Sequence, residues 1–189
     1  MKKSMISVLS VILFFFLGIS VTTAAEIDGR FFPDEFKRDR TSLQITGVAL
    51  FRYWGFKAYT GAFYLEKGLP VENILEDKAK RLELEYYRSI KGEDFGNAVN
   101  KILAKNLDAE RLQALKPKIE YHNSLYKDVE PGDRYSLTYL PGKGTELAFN
   151  GEPVEVISGA DFAAAIFSIW LGENPISDDF KQTILGNTR

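Results

Sequence analysis

Leu43, Ile45 and Gly47 alternate with Ser42, Gln44 and Thr46, the two-residue period of a half-buried strand. A glycine inside such a strand marks a place where another backbone or a ligand comes close, so Gly47 is expected to be a contact point. Phe56 to Glu66, FKAYTGAFYLE, forms a longer strand. Lys57, Tyr59, Gly61, Phe63 and Leu65 lie on one of its faces and Phe56, Ala58, Thr60, Ala62 and Tyr64 on the other. Neither face is fully polar, so both are expected to be covered. The small residues Ala58, Thr60, Gly61 and Ala62 leave room for a helix or a ligand.

Ahead of these, Phe31-Phe32-Pro33 predicts a short strand followed by a charged, solvated turn to Arg40, and Val71 to Lys78 predicts a short polar helix. Glu93 to Leu107 has the 3.6-residue period, with Phe95, Val99, Ile102 and Leu103 on one face. Asp108 is placed to cap a second helix that runs to Pro117. Lys118 to Asp128 has mixed periodicity and holds the single histidine, His122, which reads as a surface residue. Asp133 to Leu140, Thr145 to Phe149 and Val154 to Ile157 predict antiparallel strands, joined by Pro141 to Gly144 and by the hairpin pair Asn150-Gly151. Gly142-Lys143-Gly144 is no phosphate loop, because no helix follows it and the spacing is wrong. Ser158 or Asp161 caps an apolar helix from Phe162 to Leu171, ended by Gly172 and too short to span a membrane. Ser177 caps the last helix.

The stretch Arg81 to Ile90, RLELEYYRSI, is the most informative. As a strand it places Leu82, Leu84, Tyr86, Arg88 and Ile90 on one face and Glu83, Glu85, Tyr87 and Ser89 on the other. On a buried face Arg88 carries a charge it cannot lose, and that charge needs a carboxylate, carbonyls, water or an anionic ligand. The plain alternative is a strand-end arginine whose stem packs on apolar neighbours while its head reaches water.

Composition narrows the field. Lys2 and Lys3, the apolar run Met5 to Val21 and the small residues Thr22 to Ala25 form a secretory leader, residues 1–25, with cleavage after Ala25. An uncleaved anchor is the alternative reading. Residues 26–189 then form a single domain, expected to be exported and soluble, in the periplasm of a Gram-negative source or secreted. The chain has no cysteine, hence neither disulfides nor thiolate chemistry. A net charge of −2 with the signs interspersed gives no field to recruit nucleic acid. Nothing calls for a metal or a cofactor. Aromatic residues make up 13% of the chain, enough to line a core or a pocket.

The order of motifs carries a resemblance. Leu50-Phe51-Arg52-Tyr53 and Phe56-Lys57-Ala58-Tyr59 lead to Phe63-Tyr64-Leu65; then come Gly132-Asp133, Tyr139-Leu140-Pro141-Gly142, Gly144-Thr145, Asn150-Gly151, Asp161-Phe162, Trp170-Leu171-Gly172 and Pro175-Ile176-Ser177. From about Ile27 to Gly186 this resembles the bacterial chalcone isomerase-like proteins. The resemblance implies an α+β fold, an open-faced β-sandwich with a large antiparallel sheet, helices packed on one side and a small-molecule cleft between. In plant chalcone isomerases an arginine, a threonine and a tyrosine serve the ring closure. Arg52 matches the arginine, the threonine position falls on Tyr59 and the tyrosine position on Phe95, which cannot hydrogen-bond a catalytic water. The other branch of the superfamily binds fatty acids through an arginine and a tyrosine.

Three functions follow. The first is an exported, non-catalytic binding protein for a fatty acid or similar apolar or aromatic acid. Arg88 and Tyr59 would hold its head, Arg52 is the second candidate cation, and Tyr86 and Phe95 complete the ligand-binding set. The second is an isomerase or intramolecular lyase using Arg52 and Tyr59. The third is a structural or partner-binding domain whose cleft is filled by its own side chains, with Arg88 paired to Glu85, Glu83 or Asp133.

Overall fold

A computed structural model describes residues 24–187; the expected leader lies outside them, apart from Ala24 and Ala25. Those two open β1 (Ala24–Ile27), which pairs with β2 (Arg30–Pro33) as a separate hairpin. A seven-stranded antiparallel sheet follows in sequence order: β3 (Glu35–Arg38), β4 (Thr41–Tyr53), β5 (Phe56–Glu66), β6 (Lys80–Tyr86), β7 (Arg134–Leu140), β8 (Gly144–Phe149) and β9 (Glu152–Ile157). Two helices, α1 (Gly92–Asn106) and α2 (Ala109–Ser124), are inserted between β6 and β7, and α3 (Ala160–Leu171) and α4 (Asp178–Ile184) close the chain. This is the α+β architecture expected, with the helices on one side of the sheet.

Alternation along β6, the middle strand, divides the molecule. Leu82, Leu84 and Tyr86 face the helices and join the main core with Phe63, Leu137, Leu103, Ile166 and Phe180. Arg81, Glu83 and Glu85 face the other way, beneath the β1–β2 hairpin, where Phe32, Leu43, Ala62 and Tyr64 form a second core. Glu83 accepts from Arg81 at 2.8 Å and from Arg134 at 2.7 Å, and Glu85 accepts from Arg30 at 2.5 Å and also pairs with Arg134. Burial opposes the Glu83 charge, but the two guanidiniums outweigh it and hold its carboxyl below the ordinary range.

Gly47 is the close approach expected of it. Beside a bulge in β4, a Cβ at this position would lie 2.6 Å from the Thr183 carbonyl oxygen and 2.8 Å from that of Ile184. Thr46 donates to the Ile184 carbonyl at 2.9 Å, so α4 is tied to the sheet at backbone level. The Asp108 and Ser177 caps form as expected, accepting from the amides of Arg111 and Phe180.

Several expectations are corrected. The charged run after Pro33 pairs as β3 rather than forming a turn, because β4 begins early enough to accompany it. Val71 to Asp77 is a series of turns, not a helix. Pro117 does not end α2: Leu115, Ile119 and His122 bury one stripe across it, and that packing outweighs the lost backbone hydrogen bond. Gly159, rather than Ser158 or Asp161, is the N-cap of α3. His122 is not a surface residue but 1% exposed, against the rings of Tyr126 and Phe162. The strand through Arg81 to Ile90 stops at Tyr86.

Two predictions follow from this packing. Gly47→Ala pushes α4 off the sheet and lowers unfolding free energy by about 1–3 kcal/mol in a denaturant titration. Burial depresses the His122 pKa from 6.5 to about 4, so the unfolded chain takes up its proton first. Stability is full above about pH 6.5 and falls by up to about 3 kcal/mol as pH drops towards 4. His122→Phe, measured over the same range, is expected to flatten that slope.

Candidate functional site

Between the sheet and the helices lies a cavity of about 590 Å³. Leu82, Leu84 and Tyr86 of β6 and Leu137 of β7 form its floor, and Ile102 of α1 and Ile169 of α3 its roof. Its mouth opens between α1 and the segment before α4, where Asn174 donates to the Lys105 carbonyl at 3.0 Å; Lys101 lies one turn earlier on α1, Asp94 lies in its first turn, and Tyr53 is at the edge. Asp94, Ala98, Lys101 and Lys105 reach one edge because their spacing of three to four residues keeps them on one helix face. Each of the four is exposed.

The inner end is aromatic. Phe95 stacks on Tyr126 at 5.0 Å between ring centres and meets Tyr86 at 5.4 Å and Tyr135 at 5.6 Å, both edge to face. Asp128 holds this end together by accepting from the Gly92 amide at 2.9 Å and from Lys91 at 2.6 Å, so the segment bearing Tyr126 is pinned to the start of α1. Gly92 permits that approach: a Cβ there would lie 2.6 Å from the Tyr126 carbonyl oxygen.

Four tyrosines converge here in two chemical states. Tyr135 accepts from the Lys127 amide at 2.7 Å, and Tyr59 accepts from the Trp170 indole at 3.1 Å. Tyr86, 3% exposed, and Tyr126 have hydroxyls with no hydrogen-bond partner among the described residues, and both line the cavity. Burial raises the pKa of Tyr59, Tyr86 and Tyr126 well above the ordinary value, so these phenols are neutral donors and acceptors at physiological pH.

The residues singled out from sequence are divided by the fold. Tyr59, Tyr86 and Phe95 line the cavity together. Arg88 does not: β6 has ended two residues earlier, the side chain is exposed, and its guanidinium lies 4.7 Å from the centre of the Phe56 ring. The fixed cation expected inside the cleft is therefore outside it. Nor is Arg88 paired with Glu83, Glu85 or Asp133; the glutamates bind Arg30, Arg81 and Arg134, and Asp133 accepts from the Glu130 amide and from Asn150. Arg52 is exposed at the end of β4, donates to the Gly55 carbonyl at 3.3 Å, and does not line the cavity. Arg52 and Tyr59, the pair required for the isomerase reading, are thus not assembled in one site. Sequence reasoning missed Tyr126, Tyr135, Lys101 and Lys105; the lysines carried a signal, falling on the same helix face as Asp94.

A profile of the chalcone isomerase-like family matches residues 24–186, and the chain belongs to that family. Its structure is similar to the crystal structure of a fatty-acid binding protein from Arabidopsis thaliana, with a TM-score of 0.65 at 18% identity over 87% of this chain and 97% of that one. At that identity the likeness is one of fold. No curated protein matches the sequence.

The tyrosine environment gives a direct test. In an ultraviolet titration, Tyr59, Tyr86 and Tyr126 are expected to stay protonated through the ordinary range near pH 10 and to ionise only as the protein unfolds. Their raised folded pKa also means that stability is lost as pH climbs above that range.

Proposed function

We propose that this chain is an exported, non-catalytic binding protein for an apolar small molecule with an acidic end, a fatty acid or a similar aromatic acid. The observation that carries the reading is the largely apolar, open-mouthed cavity between sheet and helices, in the size range of natural ligand sites. The fatty-acid binding protein of the same fold supports it, and the N-terminal leader pattern supports export.

Magnitudes decide the pose. Each buried methylene contributes about 0.8 kcal/mol, so the tail supplies most of the affinity. A carboxylate taken into the interior would meet neutral phenols, Ser136 and the Trp170 indole but no cation among the buried lining side chains, and an unpaired buried charge costs several kcal/mol. The acid therefore sits at the mouth, beside Lys101 and Lys105, with the tail running inward towards Tyr86. Exposed lysines contribute only about 0–1 kcal/mol each; they set orientation more than strength. This replaces the Arg88-headed arrangement expected from the sequence.

Delipidated protein is expected to bind a fluorescent fatty acid saturably. Ala98→Trp, an exposed change on α1 at the cavity wall, should weaken binding tenfold or more while leaving the circular dichroism spectrum intact. Lys101→Ala with Lys105→Ala should weaken the acid severalfold and the corresponding alcohol hardly at all. The absence of binding across a panel of fatty and aromatic acids would end the proposal.

A further inference from the structure

The turn between β4 and β5 carries three large aromatic residues within four positions, all in water: Tyr53 is 63% exposed, Trp54 82% and Phe56 61%. Trp54 and Gly55 both have positive φ, 52° and 82°, as a tight hairpin of the mirror-image type requires. Asparagine or glycine suits the first of these positions, whereas a bulky side chain is strained there. The fold thus bears a conformational cost to hold a tryptophan outward, where its ring meets that of the equally exposed Tyr53 at 6.3 Å between centres.

The charges around the tip have one sign in excess. Arg52 and Arg88 are exposed and form no salt bridge with a described carboxylate; Arg52 reaches the Gly55 carbonyl, and Arg88 lies over Phe56. Lys57 is paired with Asp28 at 2.6 Å and adds no net charge. Tyr53, Trp54, Phe56 and Arg88 line one shallow groove, and Tyr53 also lines the main cavity. The tip and the cavity mouth therefore adjoin.

We propose that this hairpin tip docks the protein on a membrane rich in anionic lipid. Trp54 and Phe56 enter the interfacial layer, and Arg52 and Arg88 meet the phosphate headgroups. Indole and phenyl rings flanked by guanidiniums suit a zone that is apolar on one side and wet and anionic on the other. A protein partner fits less well: a standard interface needs about 800 Å² on each side, and a protruding turn of four residues offers far less. Docking would hold the mouth, through Tyr53, next to the bilayer from which an apolar ligand is drawn. The inference does not need that ligand, since it rests on the exposed tip alone.

The test uses the purified full chain with vesicles of phosphatidylcholine, with and without phosphatidylglycerol. The chain has two tryptophans, Trp54 and the buried Trp170, so emission separates cleanly. The expected result is a blue shift and quenching of Trp54 by lipids brominated on their acyl chains, strongest with phosphatidylglycerol. Trp54→Asn places a residue suited to positive φ, so it should fold at least as well as the parent. It should lose the quenchable emission and weaken vesicle binding tenfold or more. Arg52→Gln with Arg88→Gln should keep the tryptophan exposed in solution but abolish the preference for anionic vesicles. Trp54 emission unchanged by brominated vesicles would overturn the inference, as would equal vesicle affinity in Trp54→Asn; both would leave the tip to some other partner.

Discussion

The structure depends on the two-sidedness of β6. The middle strand of a seven-stranded sheet cannot leave either face to water, and its alternation gives each face a different chemistry. Leu82, Leu84 and Tyr86 make an apolar floor towards the helices. Arg81, Glu83 and Glu85 would carry an intolerable burial cost on the other side, were they not matched by Arg30 and Arg134 beneath the β1–β2 hairpin. Removing one partner from that network leaves its neighbour charged and dry. The hairpin and the sheet are therefore obliged to stay together, and the floor stays in place.

On the helix side, small and large residues set where the helices close onto the sheet and where they do not. Gly61 admits the Phe180 ring, and Gly47 admits the backbone of α4. These contacts draw α4 down at one end. Towards α1, the rings of Phe95, Tyr86 and Tyr126 meet edge and face, and the space beyond them is the cavity. Inside, its lining is mostly apolar, with phenols that burial keeps neutral, while Lys101 and Lys105 stand towards the entrance together with Asp94 and Asn174. An apolar body with an ionised end is the guest that loses least by entering. Turnover by Arg52 and Tyr59 would need a cation that the fold leaves at the end of β4, outside the cavity.

Much of this was legible in the sequence wherever a local rule and the tertiary packing agreed. β5 begins and ends where its pattern places it, Asp108 and Ser177 cap the helices predicted for them, and Gly47 marks a close backbone approach. The failures share a cause: a local signal was outweighed by something distant in sequence. Pro117 reads as a stop, but α2 has a buried stripe on both sides of it. His122 reads as a surface polar residue, but that same stripe carries it under Tyr126 and Phe162. Arg88 reads as the fourth inward residue of a strand, but β6 ends at Tyr86, where its backbone turns to bond Asp133 and Gly132. Alternation alone could not show that end, because Tyr87 to Ile90 keeps an apolar and polar rhythm after the regular strand has ended, with only a bond from Tyr87 to Ala58 and a bridge between Ile90 and Val129 beyond it.

The central claim is that an apolar tail occupies the space above β6 while its acid end stays at the α1 lysines. Intermolecular nuclear Overhauser effects from a carbon-13-labelled saturated fatty acid test it most directly. Contacts are expected from the tail methyl to the Tyr86 ring and from the mid-chain to Ile102 and Leu84, with the carboxyl end near Lys101 and Lys105. Contacts confined to Phe56 and Arg88 on the outer surface, or a carboxyl end buried against Tyr86, would contradict it.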